Sequence, residues 1–210
     1  MPLDRRRFLA GTAGCLALYA APASASFMAR VAFVDLVEQQ LADAVRPQHV
    51  DEVWVLVDDR ACMLDVYRGG TRIERFSPVS IGRGGAATQR ISGSSVTPKG
   101  EFRVNRFNFD SRWHLFMGVD YPTPDHARMA LRTGLYSREE YQAYFDHYRR
   151  YKTPPQDTVL GGAIGLHGLG PADPAIHRRM NWTQGCVAMT DAQIDRLKTQ
   201  VDMGTRVVIR

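Results

Sequence analysis

The chain has 210 residues, of which 44% are hydrophobic and 23% charged. This composition is typical of a globular protein with one good core. The formal net charge is +5, and residues 1–25, with three arginines and one aspartate, contribute +2 of it. The remaining +3 is too small to indicate a protein that binds nucleic acid.

Residues 1–25 are predicted to be an export signal. They have a basic start, an apolar stretch, and the small residues Ala23, Ser24 and Ala25 as a cleavage site before Ser26. The stretch is too short and too rich in glycine to span a bilayer stably. Its Arg5-Arg6-Arg7-Phe8-Leu9 run resembles a twin-arginine signal, with ordinary secretion and a lipoprotein modified at Cys15 as alternatives. We therefore expect a protein of the periplasm or cell envelope.

The two cysteines beyond this signal are expected to stay unpaired. They are Cys62 and Cys186, and an oxidising compartment would permit a disulfide between them. Cys62 alternates with Leu64 and Val66 in a predicted strand, which is typical of a core position. A disulfide would also remove Cys186 as a candidate nucleophile.

An N-terminal helix and linker are predicted over residues 26–50. Apolar residues recur there at helical spacing between residues 27 and 45, and Pro47 ends the pattern. This helix would pack on the main domain or tether it. The main domain is predicted to occupy residues 51–210.

The first part of the main domain alternates like β-strands separated by turns. Five strands are predicted, at Val53–Val57, Cys62–Tyr67, Ile73–Ile81, Gly100–Val104 and Trp113–Met117. Short strands with frequent turns predict a mostly β (α+β) domain built as a sandwich or barrel.

Helices and a last strand are predicted in the second part. Aromatic residues at helical spacing predict a helical insertion over residues 137–151, which packs on the sheet or, alternatively, forms a lid over a substrate. Thr190 and Gln193 form a capping box that opens another helix. Gly204 ends that helix, and residues 206–210 form the final strand.

Two short motifs carry the chemistry. His167 lies in Leu166-His167-Gly168, and Cys186 follows 19 positions later in Thr183-Gln184-Gly185-Cys186. A thiol needs a base to become a nucleophile at neutral pH, and His167 is the candidate base. The glycines leave room for a substrate, and the Gly185-Cys186 turn could direct amide N–H groups at a tetrahedral oxyanion. The pattern indicates thiol-dependent acyl transfer.

With the capped helix and final strand that follow them, these motifs resemble the L,D-transpeptidase catalytic domain, the YkuD-type fold of peptidoglycan enzymes. The resemblance covers residues 51–210. It extends upstream to landmarks similar to those of a proteobacterial branch, at Gly82-Arg83, residues 97–102, 111–115 and 120–122.

The resemblance implies a cysteine acyltransferase acting on peptidoglycan peptide stems. Cys186 would attack the bond between a diamino acid and the following D-alanine, forming a thioester. His167 would serve as general base and then acid, with the Gly185 and Cys186 amides as oxyanion donors. Neither a metal nor an organic cofactor is implied.

Two positions depart from the common form of the family. Many members have histidine where this chain has Gln184, and many have arginine where it has Ala188. The form with alanine resembles a branch that includes hydrolases, so a carboxypeptidase or endopeptidase of the same fold is the main alternative. A non-catalytic wall-binding module is a further one.

The candidate substrate contacts are Gly168, Thr183, Gln184, Trp182 and His114. Simple packing is the alternative for Trp182 and for His114. His177, between the motifs, is interpreted as a surface loop residue or as a second base. A zinc site formed by His167, His177 and Cys186 is disfavoured, because no paired metal-ligand spacing is present.

Overall fold

The computed structural model describes residues 39–210. The predicted export signal and the first part of the predicted N-terminal helix therefore lie outside the described residues. Residues 39–44 are helical and form the described part of helix α1.

Strands dominate the chain after α1. In chain order the elements are β1 (Val53–Asp58), β2 (Met63–Arg68), β3 (Thr71–Phe76), β4 (Ala86–Ala87), β5 (Thr97–Pro98), β6 (Gly100–Ser111), β7 (His114–Val119), α2 (Pro124–Thr133), α3 (Arg138–Tyr151), β8 (Gly165–His167), α4 (Pro174–His177), β9 (Val187–Ala188), α5 (Asp191–Lys198) and β10 (Arg206–Ile209).

Eight of these strands form one mixed sheet in the order β3-β2-β1-β10-β6-β7-β8-β9, and β4 pairs with β5 separately. Most neighbours are antiparallel, whereas β1 with β10 and β8 with β9 are parallel. The last strand thus lies at the centre of the sheet, beside the first. The predicted mostly β class is confirmed.

The sheet buries both of its faces around β1. Val55 and Val57 point into the main core, and Trp54 and Leu56 point to the opposite face, as the alternation of side chains along a strand requires. On that second face, residues 41–45 at the end of α1 pack against Trp54, Leu56 and the strand β10. The end of α1 therefore covers the back of the sheet.

Several predicted boundaries are wrong by a few residues. The third strand ends at Phe76 rather than at Ile81, because Pro78 has no N–H to donate to a neighbouring strand. Cys62 precedes β2 instead of belonging to it and has a φ of 50°. The strand predicted to end at Val104 continues to Ser111, where it forms a long hairpin with β7.

The predicted insertion over residues 137–151 is helix α3. Ser137 caps it in a capping box with Glu140, which satisfies backbone donors at the first turn. Tyr144 is buried and donates a hydrogen bond to the carbonyl of Pro122 at 2.7 Å. Tyr141, Phe145 and Tyr148 pack against the main core. These contacts support packing on the domain rather than a lid.

A buried arginine joins α1 to the sheet. The Arg206 guanidinium donates to Glu52 at 2.7 and 3.0 Å and to the carbonyls of Ala44 and Arg46, each at 2.7 Å. It also lies 4.8 Å from the centre of the Trp54 ring. Burial alone would raise the pKa of the Glu52 carboxyl, but Arg206 holds that pKa below its usual value.

Replacing this arginine should be costly. Arg206→Ala removes the buried donor of a largely buried carboxylate and of two backbone carbonyls at and just after the end of α1, so we expect the free energy of unfolding to fall by about 3–5 kcal/mol. Urea unfolding followed by circular dichroism measures it. The matched control is Arg210→Ala, which removes a half-exposed partner of Asp58 and should cost no more than about 1 kcal/mol. Equal losses in the two variants would contradict this role of Arg206.

Candidate active site

Strand pairing brings the two predicted motifs together. In the parallel pair β8–β9, Leu166 is opposite Val187 and His167 is opposite Ala188. Cys186 directly precedes β9. Cys186 and His167 therefore both line one cavity of about 790 Å³, which is larger than the cavity of about 430 Å³ beside α1.

His167 is enclosed by aromatic rings. Its imidazole lies 5.1 Å from the Trp113 ring, 6.0 Å from Trp182 and 6.5 Å from Phe116, measured between ring centres. The residue is 3% exposed. Burial lowers the pKa of His167 below that of a free imidazole, because a charged ring would lose its hydration. The ring is therefore neutral at neutral pH.

The neighbouring backbone selects the tautomer of this ring. Nδ1 of His167 lies 2.6 Å from the carbonyl oxygen of Gly168. A carbonyl can only accept, so Nδ1 carries the proton. Nε2 is then left with its lone pair, which is the form that a general base requires.

Cys186 is a neutral thiol in this environment. Its sulfur donates to the carbonyl of Ala163 at 3.4 Å rather than to the imidazole. Burial raises the pKa of the Cys186 thiol, and the positive charges of Arg90 and Arg106 oppose that rise. The site consequently holds a neutral thiol and a neutral imidazole rather than a preformed ion pair.

A threonine hydroxyl shapes the turn that carries Cys186. The N–H of Gly185 donates to Oγ1 of Thr183 at 3.1 Å, and that hydroxyl donates to the carbonyl of Cys186 at 2.6 Å. Of the two predicted oxyanion donors, Gly185 is thus already hydrogen-bonded and the N–H of Cys186 remains. Gly185 has a φ of 131°, and a Cβ there would lie 2.5 Å from Nη1 of Arg90. The same Cβ would lie 2.8 Å from the backbone oxygen of Val96, which cannot move aside as a side chain can. The positive φ and this backbone contact require glycine at this position.

The other predicted substrate contacts separate into two groups. Thr183, Gln184 and Trp182 line the cavity. Gly168 and His114 are not part of its lining. The carbonyl of Gly168 accepts a hydrogen bond from Nδ1 of His167. Nε2 of His114 is hydrogen-bonded to the two carboxylate oxygens of Asp195 at 2.8 and 2.9 Å. The hydrogen bond to Asp195 raises the pKa of His114.

His177 is a buried structural residue. Its Nδ1 lies 2.8 Å from the Ser80 hydroxyl, and its Nε2 lies 3.2 Å from the carbonyl of Pro78. The interpretation of His177 as a surface loop residue is therefore wrong, because the loop folds back over the segment after β3. Within residues 39–210, no group of three histidine, cysteine or acidic side chains is arranged to hold a metal ion.

The positive charge of the cavity was not predicted from the sequence. Four arginines line the cavity: Arg83, Arg90, Arg106 and Arg112. Arg83 and Arg112 lie within the upstream landmarks of the resemblance, but Arg90 and Arg106 belong to no predicted motif. Arginine is common on protein surfaces, so its presence alone does not indicate a site. Trp113 and Phe116 belong to a predicted strand region, but their contact with His167 depends on the pairing of β7 with β8.

Comparison with known proteins identifies the same domain. A family model, the YkuD L,D-transpeptidase catalytic domain, matches residues 52–209. A solved structure of the helical cell shape determining protein Pgp2 from Campylobacter jejuni is 16% identical, with a TM-score of 0.53, over 84% of this chain and 54% of that one. Identity at this level shows a shared fold.

Two further solved structures are less similar in shape. Bd1075 from Bdellovibrio bacteriovorus is 17% identical, with a TM-score of 0.49 over 79% of this chain and 50% of that one. An L,D-transpeptidase from Xylanimonas cellulosilytica is 16% identical, with a TM-score of 0.43 over 82% of this chain and 68% of that one. The chain spans about half the length of Pgp2 and Bd1075. No curated protein matches it.

Proposed function

Because the chain belongs to the L,D-transpeptidase catalytic-domain family, we propose that it is a cysteine acyltransferase acting on peptidoglycan peptide stems. The observation that carries this proposal is that Cys186 and His167 line one cavity, with Nδ1 of His167 tied to the Gly168 carbonyl. That arrangement supplies a nucleophile and a base of the correct tautomer for acyl transfer.

The proposed reaction has two halves. In the first, Nε2 of His167 takes the proton of the thiol while sulfur attacks the carbonyl of the diamino acid, and the N–H of Cys186 stabilises the resulting oxyanion. The imidazolium then protonates the departing amine of D-alanine, leaving a thioester. In the second half, His167 deprotonates the incoming nucleophile as it attacks the thioester carbonyl. The C–S bond breaks, and the imidazolium returns the proton to sulfur, which restores the thiol.

The nucleophile of the second half decides between transfer and hydrolysis. An acceptor amine gives a crosslink, whereas water gives net hydrolysis. The test is incubation of residues 26–210 with a disaccharide-tetrapeptide, followed by mass spectrometry of the products. A crosslinked dimer is the expected result. If the products are tripeptide and free D-alanine without dimer, the protein is a hydrolase rather than a transferase. If the substrate remains intact, a non-catalytic module is favoured.

We also propose that the protein works in the periplasm, since peptidoglycan stems lie outside the cytoplasmic membrane. The predicted signal over residues 1–25 agrees with this location. Within residues 39–210, no helix has both the length and the apolar character needed to cross a membrane. N-terminal sequencing of the protein from a periplasmic extract should begin at Ser26. Recovery of the uncleaved chain in the cytoplasm alone would contradict the proposal.

The two shifted pKa values predict a broad bell-shaped pH profile. The reactive form has a neutral imidazole and a protonated thiol. The pKa of His167 is lowered and that of Cys186 is raised. With increasing pH, kcat/KM should therefore complete its increase below about pH 6.5 and begin to decrease only above about pH 8.5. Initial rates with a tetrapeptide between pH 4.5 and 10, in constant-ionic-strength buffers, measure both limbs. A narrow optimum, with either limb inside that interval, would contradict a neutral pair.

A further inference from the structure

The candidate active site carries positive charge without a counterion. Arg83, Arg90, Arg106 and Arg112 line the cavity, and no aspartate or glutamate does. Within residues 39–210, none of these four arginines forms an ion pair with a carboxylate. A cavity of one sign attracts ligands of the opposite sign, so its occupant is expected to be anionic.

Arg90 differs from the other three because it is buried. It is 6% exposed, and its Nε and Nη1 atoms have no hydrogen-bond partner among the described residues. Its guanidinium lies 5.7 Å from the centre of the Tyr121 ring, which compensates only a small part of the lost hydration. A buried cation with unused donors is costly unless something pairs with it.

The position of Arg90 places that missing partner next to the reacting atoms. Nη1 lies beside Gly185, 2.5 Å from the place that a Cβ would occupy there, and Gly185 precedes Cys186. Arg106, stacked over the Phe116 ring at 5.1 Å, reaches the same cavity from β6. The positive charges of Arg90 and Arg106 both lower the pKa of the Cys186 thiol, against the effect of burial. An anion held here would lie beside the scissile bond.

We propose that Arg90 binds a carboxylate of the acyl donor close to the bond that Cys186 attacks, and that it thereby selects anionic stem peptides. The planar guanidinium suits a carboxylate because it can donate two parallel hydrogen bonds. This inference rests on the proposed function. Two carboxylates of the stem have the required chemistry: that of the terminal D-alanine and that on the side chain of the diamino acid.

The test compares three tetrapeptides: the free acid, the C-terminal carboxamide and the peptide amidated on the diamino-acid side chain. Charge-assisted hydrogen bonds predict that wild-type kcat/KM falls about 10- to 100-fold for one of the two amides. In Arg90→Gln, the free acid should fall by the same factor and the discriminated amide should change little. The amide that wild type discriminates identifies the carboxylate.

Two variants control this measurement. Arg90→Lys keeps the charge and should restore part of the discrimination, which guards against a variant that merely folds poorly. Arg68→Gln removes an exposed arginine on β2, outside the cavity, and should match wild type with every peptide. If Arg90→Gln lowers kcat/KM equally for all three peptides, or retains the wild-type preference, Arg90 does not bind the carboxylate.

A binding measurement separates this inference from the proposed function. Calorimetric titration of Cys186→Ala with the same peptides needs no turnover. Weaker binding of one amide, with the difference lost in Cys186→Ala/Arg90→Gln, would support the Arg90 inference even if wild type turned over none of the peptides. Equal affinity of Cys186→Ala for all three peptides would overturn it even if wild type proved to be a transferase.

Discussion

Cys186→Ala should lower kcat for the tetrapeptide by about 10⁴-fold or more, because it removes the atom that forms the thioester. The cavity, the imidazole and the four arginines remain in this variant, so substrate binding should persist while acylation stops. A carbapenem, which mimics the acyl donor, should add its mass to the wild-type protein and add none to Cys186→Ala. Intact-protein mass spectrometry measures the adduct.

Cys62→Ala is the matched control for this prediction. Cys62 is the other free cysteine among the described residues. It is partly buried, its sulfur contacts the carbonyl of Asp59 at 3.6 Å, and it does not line the active-site cavity. Turnover and adduct formation in Cys62→Ala should equal those of wild type. The same adduct on Cys186→Ala, or its loss in Cys62→Ala, would assign the reactive thiol elsewhere.

The strands could be predicted where apolar residues alternate with polar ones, or form a short run bounded by turn residues. β1 is a continuous apolar run buried on both faces, whereas β2 alternates, and every predicted end of the two strands agrees with the structure within one residue. α2, over Pro124–Thr133, was not predicted. Its signals, a proline in the first turn and Gly134 at the end, are turn signals as well, and ten residues offer few periods for a helical pattern.

The site was predictable only in part, for a related reason. Cys186 and His167 stand within short motifs whose residue types indicate chemistry by themselves. Arg90 has no such motif, and its significance arises when the chain folds it against Gly185. The use of the Gly185 N–H by Thr183 is likewise a matter of local geometry. Chemistry-bearing residues can therefore be identified from spacing, whereas the residues that tune them depend on tertiary contacts.

His167→Gln should lower kcat/KM by about 10²- to 10⁴-fold near neutral pH, the range that general acid–base catalysis contributes. Glutamine cannot take the proton of the thiol. Because burial raises the pKa of Cys186, little thiolate is present at neutral pH to attack without a base. The variant should therefore lose the acid limb that His167 sets. Its rate should increase only at higher pH, where the Cys186 thiol ionises. Initial rates across the same pH range measure both effects.

His177→Gln tests whether this result is specific to His167. Both histidines are buried, and burial lowers the pKa of both, but His177 bonds Ser80 and the Pro78 carbonyl and does not line the cavity. Its replacement should reduce stability and leave both pH limbs in place. If His177→Gln removed the acid limb while His167→Gln kept it, the group that titrates in that limb would be His177. The assignment of His167 as the base for Cys186 would then be wrong.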